Sequence, residues 1–220
     1  MFIAGFPAGS FQANCYVLAA EPGGDALVVD PGQDALVRLE PLLAEHGLRP
    51  VAVLLTHGHL DHIASAAALC RSAGIPAHLH AADEVLLDDP LSGLSPELRA
   101  ALAGMPLDGL RPEVVHPLAG ELAAGGLRIA VDHTPGHTRG SVVFRLAAAD
   151  DRPEVLLTGD TLFAGSVGRT DLPGGSTAEL TSSLRDHLLT RPDDAVVLPG
   201  HGPTSTIGAE RVGNPYLQRV

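Results

Sequence analysis

The chain runs to 220 residues, 45 % of them hydrophobic but only 3 % aromatic, and its formal net charge is -12 at pH 7. That length suits one α/β domain, expected over residues 1–220, with Ala, Leu and Val filling its core. The acidic balance, without a Lys/Arg run or a basic patch interleaved with aromatics, argues against a nucleic-acid partner, and no stretch approaches the roughly 18 apolar residues of a membrane span.

From the N-terminus, apolar runs predict strands over residues 1–6, 12–18 and 27–30, the last two joined by the turn Glu21-Pro22-Gly23-Gly24. Residues 33–46 carry Ala35, Leu36, Leu39, Leu42 and Leu43 at helical spacing, with Pro41 predicting a break or an early-turn position. A buried strand follows over residues 51–55, then a helix over 63–73 with Gly74 as its stop. Residues 91–118 are the least regular, rich in Pro and Gly, with one short helix over 96–103. They read as an insertion over one end of the fold: a lid, a contact between copies, or a plain surface connection. Strands resume at 127–131 and 141–146, and a last helix covers 176–189, opened by a Ser176 cap with Glu179 three residues on. Cys15 and Cys70 lie in apolar runs and read as buried free thiols in a reducing cytosol. With no basic residue before Arg38, the N-terminus lacks the charged region of an export signal, so the expected location is cytoplasmic.

The chemistry concentrates in Thr56-His57-Gly58-His59-Leu60-Asp61-His62. In an extended segment alternate side chains point the same way, so His57 and His59 can share one metal ion. Asp61 and His62 follow one turn later and can face a second. Imidazole and carboxylate together suit zinc, iron or manganese. Three further candidates obey one local grammar, in which a strand stops, a glycine follows and a ligand-type side chain appears. They are His137 in Thr134-Pro135-Gly136-His137-Thr138, Asp160 after Val155-Leu156-Leu157-Thr158-Gly159, and His201 after Val196-Val197-Leu198-Pro199-Gly200. Four such segments converge on a binuclear site.

With these motifs the chain resembles the metallo-β-lactamase superfamily, and within it the glyoxalase II-like thioester hydrolases, above all short bacterial members of one domain. The likeness extends from Val28-Val29-Asp30-Pro31-Gly32 to Asn214-Pro215-Tyr216-Leu217 and includes Gly168-Arg169-Thr170-Asp171 and Gly200-His201-Gly202-Pro203. It implies an α/β fold of the αββα four-layer type, with the site at the sheet edges. It implies His57, His59 and His137 on one metal and Asp61, His62 and His201 on a second, with Asp160 bridging both. Asp61 and Asp160 are thereby implied in catalysis as well as binding, and Asp30 is implied to brace the His loop without touching metal. The implied cofactor is two divalent ions, zinc first, with iron and manganese accepted by the same donors.

Two adjacent cations can hold a bridging hydroxide ready at neutral pH, polarise a carbonyl and stabilise the developing oxyanion. A thiolate leaves readily, so no strong acid is needed, and Ser10, Ser65 and Ser141 lie outside any nucleophile-elbow context. The implied activity is hydrolysis of a hydroxyacyl thioester of the S-D-lactoylglutathione type, acting on a small molecule as a monomer or small homo-oligomer. Arg169 resembles the basic residue that helps to hold the thiol carrier in glyoxalase II, and pairing with Asp171 is the competing assignment. Only nineteen residues follow His201, too few for the helical domain with which full-length glyoxalase II grips glutathione. The alternative on the same fold is a persulfide dioxygenase using one iron, for which Gly168 to Asp171 are equally suited. A non-catalytic ligand-binding relative is the third reading. His78 and His80 read as structural or exposed, His133 as supporting the ligands or part of the core, and His46, His116 and His187 carry no motif.

Overall fold

In the computed structural model, which describes every residue except 103, 105, 106, 108, 150 and 151, the apolar runs become two six-stranded sheets. The first sheet holds, in spatial order, β1 (Phe2–Ala8), β2 (Ala13–Ala19), β3 (Asp25–Val29), β4 (Arg49–Leu54), β5 (Ala77–Leu79) and β6 (Val115–Pro117). Its first three strands are antiparallel and β3 to β6 are parallel. The second sheet takes β7 (Gly120–Ala124), β8 (Leu127–His133), β9 (Val142–Leu146) and β10 (Val155–Gly159) as antiparallel neighbours. After a small ribbon, β11 (Leu162–Phe163) with β12 (Ser166–Val167), strand β13 (Val196–Pro199) lies parallel to β10, and β14 (Ser205–Thr206) closes the edge. Helices α1 (Leu36–Glu45), α2 (Leu60–Ile63), α3 (Ala66–Ala73), α4 (Glu84–Asp88) and α5 (Pro96–Leu102) come before β6, and α6 (Thr177–Ser183) and α7 (Ile207–Gly213) come late.

Three separate apolar cores give the layering. Side chains alternate along a strand, so each sheet sends one set to its helices and the other to the opposite sheet. On β2, Val17 packs with Leu39, Leu43 and Leu69 of α1 and α3, whereas Leu18 joins Ile129, Phe144 and Leu157 between the sheets. On the second sheet, Val143 and Leu156 turn outward to Leu180, Leu184 and Ile207. Helix, sheet, sheet and helix thus stack as four layers with an apolar core at each interface. Cys15 and Cys70 are free and buried within the first core.

Where expected and observed elements differ, a local contact explains it. The helix expected over 63–73 is two, because Ser65 turns aside: its N–H donates to Pro31 O at 2.9 Å and its hydroxyl to Gly32 O at 2.6 Å. Pro41 sits inside α1 without breaking it, since the carbonyl it strips of a partner belongs to Val37 on the exposed face. After Ser176 caps α6 by accepting from Glu179 N–H at 3.3 Å, the helix widens into a π-helical turn over Leu184–Leu188. The short helix expected over 96–103 runs over Pro96–Leu102, and residue 103 lies outside the described residues. No helix among the described residues is long and apolar enough to cross a membrane.

Candidate metal centre

The His57 loop leaves β4 as a bend rather than an extended segment, yet His57 and His59 still meet, with ring centroids 4.9 Å apart. Gly58 permits that bend to press on α4, for a side chain there would meet Leu86 Cβ at 2.7 Å. Asp61 and His62 stand in the single turn of α2. From the second sheet, His137 comes on the β8–β9 loop, Asp160 follows β10 and His201 follows β13. The strand ends of both sheets therefore contribute, and three donor groups form within ligand distance: His57, His59 and His137; His57, His62 and Asp160; Asp61, His62 and His201.

Hydrogen bonds fix which nitrogen each ring turns inward. Asp30 accepts from Thr56 N–H at 2.8 Å, from the Thr56 hydroxyl at 2.6 Å and from His62 Nδ1 at 3.1 Å. Because the Thr56 proton is spent on Asp30, His57 Nδ1 must donate to Thr56 Oγ1, 3.0 Å away. His137 Nδ1 donates to Arg169 O at 2.8 Å and His201 Nδ1 to Phe11 O at 3.1 Å. Four imidazoles are thus anchored through Nδ1 and present Nε2 to the centre, whereas His59 turns its Nδ1 to His137 Nε2 at 2.9 Å. Outer partners of this kind set ligand tautomers in metal sites. Asp30 is a positive-φ residue (φ 49°) that holds both the loop and the His62 ring.

Asp160 reaches both halves of the cluster. Its Oδ2 lies 3.6 Å from His137 Nε2 and 3.6 Å from His201 Nε2, and its Oδ1 lies 3.4 Å from His62 Nε2. Asp61 Oδ2 sits 3.2 Å from His201 Nε2. Burial, helped by the charges of His62 and His137, holds His57 well below the ordinary imidazole value, and burial with His137 lowers His59 to about 3. Burial would also lower His62, but Asp61, Asp160 and Asp30 outweigh it and raise that ring to about 10. His201 is raised against its own burial by Asp61 and Asp160. Asp61 falls below the usual carboxylate range because His62 and His201 overcome its burial. His57 and His59 are thus neutral nitrogen donors, whereas His62 and His201 draw positive charge between two carboxylates.

The residues fit metal. Buried acceptors without a donor are costly, yet His57 Nε2 and Asp160 Oδ1 are buried facing the centre without a hydrogen-bond partner. Gly200 completes the cradle: a methyl group there would overlap Asp160 Oδ1 and press on His62 Cε1. Above the cluster opens a cavity of about 200 Å³. A larger hollow of about 380 Å³ beside Cys70, Arg71 and His116 has no metal-holding group among the described residues, so the chemistry belongs to the smaller one.

The sequence model of the metallo-β-lactamase superfamily matches residues 8–201. The chain belongs to the metallo-β-lactamase superfamily. This superfamily member is 50 % identical to an uncharacterized protein of Mycobacterium tuberculosis over 99 % of its own length and 98 % of the relative's. It is 36 % identical to the hydroxyacylglutathione hydrolase GloC of Haemophilus influenzae, over 96 % and 95 % of the two chains. Among solved structures, the BLEG-1 B3 metallo-β-lactamase superimposes with a TM-score of 0.83 at 35 % identity, covering 98 % of this chain and 99 % of that one. The di-iron-bound form of TTHA1623 gives 0.80 at 36 %, covering 99 % and 100 %. ETHE1 from Myxococcus xanthus gives 0.76 at 26 %, covering 98 % and 84 %. The αββα architecture implied by the resemblance is therefore the metallo-β-lactamase fold, and the His/Asp cluster lies at its sheet edges.

Sequence reasoning missed several supporting residues. Asp83, buried just before α4, accepts from Gly58 N–H at 3.0 Å, the Thr138 hydroxyl at 2.6 Å and Gly140 N–H at 2.7 Å, tying the His57 and His137 loops together. Asn14 and Tyr16 of β2 reach across to the other sheet: Asn14 Nδ2 donates to Pro199 O and Gly202 O, each at 2.9 Å, and Tyr16 OH to Pro199 O at 2.8 Å. Glu210 on α7 is buried, accepting from Gly165 N–H at 2.8 Å, Asn214 Nδ2 at 2.8 Å and the Ser205 hydroxyl, which steadies the stretch leading to Arg169. The closing Glu210 and Asn214 thus have a structural reason for their spacing. His133 supports neither ligands nor core. It is exposed, stacks on His80 at 4.0 Å and bonds Arg139 O. Arg169 lines the cavity and makes two hydrogen bonds to Asp171, at 2.7 and 2.8 Å.

Proposed function

We propose that this metallo-hydrolase superfamily member is a binuclear hydrolase of thioesters. His57, His59 and His137 would hold one ion and Asp61, His62 and His201 a second, with Asp160 between them. The observation that carries the reading is the position of Asp160, whose two oxygens approach nitrogen donors from both triads. When bound, the ions supply Lewis acidity toward a carbonyl and a water-derived nucleophile at neutral pH.

This chain's own residues do the rest. Asp30 and Thr56 keep His57 and His62 turned inward, and the backbone carbonyls of Phe11 and Arg169 do the same for His201 and His137. Burial keeps His57 and His59 unprotonated, as donors must be. The cavity admits a carbonyl beside Asp160 and Asp61 without offering a serine or cysteine nucleophile among the described lining residues. Such a site suits an ester whose leaving group needs no proton, which a thioester provides. The relationship to GloC supports S-D-lactoylglutathione as the first substrate to try. Arg169 would meet the carrier at the cavity mouth to the extent that Asp171 leaves its charge free.

Release of glutathione from S-D-lactoylglutathione by metal-loaded protein tests the proposal. Turnover that disappears on chelation and returns with zinc, iron or manganese is the expected result. Full metal loading without turnover of any thioester would overturn it. One iron per chain, with oxygen consumed on a persulfide, would put the dioxygenase in its place.

A further inference from the structure

The wall of the cavity is as informative as its floor. Around the ligands stand Phe11, Leu60, Leu94, Leu98, Leu102 and Leu172, drawn from both halves of the chain. Leu98 and Leu102 are four residues apart on α5 and share one face of it, whereas Pro96, Glu97, Arg99, Ala100 and Ala101 are exposed. A surface helix normally turns its apolar stripe into a core. Here α5 has no buried residue, and its stripe stays half-open toward the metal cluster. The helix is also held in place: Arg99 Nε donates to Leu91 O at 3.0 Å, and Gly93, in the same turn, packs so closely on His59 that a side chain there would meet its Cδ2 at 2.9 Å. The wall and the donor cluster are therefore one assembly.

Charge points the same way. Arg169 is the lining guanidinium among the described residues, and Asp171 already neutralises it with a two-pronged ion pair. A carrier bearing carboxylates would compete with Asp171 for that guanidinium, while an apolar group would complete the burial of Leu98 and Leu102. The cavity's roughly 200 Å³ falls short of the ~300 Å³ at which drug-sized sites begin, so the group must be short.

We infer that the cavity selects thioesters with a short apolar group beside the scissile bond over carriers recognised through carboxylates. The inference rests on the hydrolase reading and names its substrate class. The apolar group can belong to the acyl or the thiol side, and the test separates them. Metal-loaded enzyme is assayed on acetyl, butyryl and hexanoyl thioesters of N-acetylcysteamine, then on acetyl thioesters of glutathione, N-acetylcysteamine and butanethiol. Leu98→Ser and Leu102→Ser, outside all three cores, are run in parallel with metal content checked. Calorimetric titration with S-hexyl-N-acetylcysteamine, a thioether that cannot be hydrolysed, is compared with its S-methyl counterpart.

The expected result is a rise in kcat/KM of roughly fourfold per buried methylene until the cavity is full, flattened in both variants at unchanged metal content. A rise in the acyl series assigns the wall to the acyl group, and a rise only in the thiol series assigns it to the thiol. The S-hexyl thioether should bind more tightly than the S-methyl one, and Leu98→Ser should remove the difference. Turnover fastest on glutathione, flat with chain length and indifferent to Leu98 and Leu102, would overturn the inference while leaving thioester hydrolysis standing. Equal affinity for the two thioethers would overturn it even if no thioester were cleaved, whereas absent turnover with intact hexyl preference would sink only the hydrolase reading.

Discussion

At the residue scale, Asp160 and its neighbour across the cluster, Gly200, carry the most consequence. Asp160→Ala removes the carboxylate that approaches both triads. Metal content measured on the purified variant should fall, with turnover down by more than the ~10–100-fold typical of residues that only orient a ligand. Near-normal activity would exclude two ions bridged by Asp160. Gly200→Ala removes no donor, yet its methyl would occupy the space of Asp160 Oδ1. We expect an unchanged circular dichroism spectrum and roughly a hundredfold loss of turnover, the scale of a 1 Å misplacement. The exposed Arg169–Asp171 pair calls for smaller numbers. Asp171→Ala frees the guanidinium and should lower KM for a glutathione thioester by about twofold to fivefold, with a neutral carrier unaffected. Arg169→Ala should act in the opposite direction in the same assay.

At the scale of elements, the loops depend on ties between distant segments. Asp83→Ala would strand the buried Gly58 and Gly140 N–H groups on two loops of the cluster, whereas the Thr138 hydroxyl keeps Ser141 Oγ at 2.7 Å. Each unsatisfied group costs about 1–3 kcal/mol, so denaturant unfolding should register a combined loss of about 2–6 kcal/mol, with weaker metal retention. Retained stability and metal would make Asp83 a bystander. The clustered histidines and carboxylates were legible in sequence because each sits beside a recognisable event: a packed motif at His57 to His62, or a strand end and a glycine before His137, Asp160 and His201. Asp83 was not, since Ala81-Ala82-Asp83-Glu84 reads as an ordinary helix start and its partners lie up to 57 residues away. Leu98 and Leu102 read as a plain amphipathic turn in a Pro-rich stretch, because periodicity reports which residues share a face and not what that face meets. Strands β6 and β7 escaped for a related reason. They are short, partly exposed edge strands that lack a buried apolar run.

For the whole molecule, run length located most of the longer strands, whereas the four-layer architecture came only with the family resemblance and the order of strands in space with neither. Parallel neighbours such as β10 and β13 are separated by the β11–β12 ribbon and α6, so their pairing is invisible to local pattern. Metal should stabilise this architecture globally, because a donor cluster assembled from both sheets exists only in the folded state. At a metal concentration a thousandfold above Kd the gain is about 4 kcal/mol, or roughly 8–16 °C in Tm for a chain of this size. Calorimetry before and after chelation measures it, and an unchanged Tm would mean that the cluster holds no tightly bound ion.

The tie from β2 to the His201 loop has a consequence beyond bracing. His57, His59, Asp61 and His62 come from the first half-sandwich, and His137, Asp160 and His201 from the second, with Asn14 and Tyr16 stitching the rim where they meet. Neither half holds any of the three donor groups whole, since His137, Asp160 or His201 from the second half completes each. The centre is therefore a rivet through a seam. Assembling it requires two independently patterned pieces of chain to dock, and a ribosome that has released only the first piece has made none of the three donor groups whole.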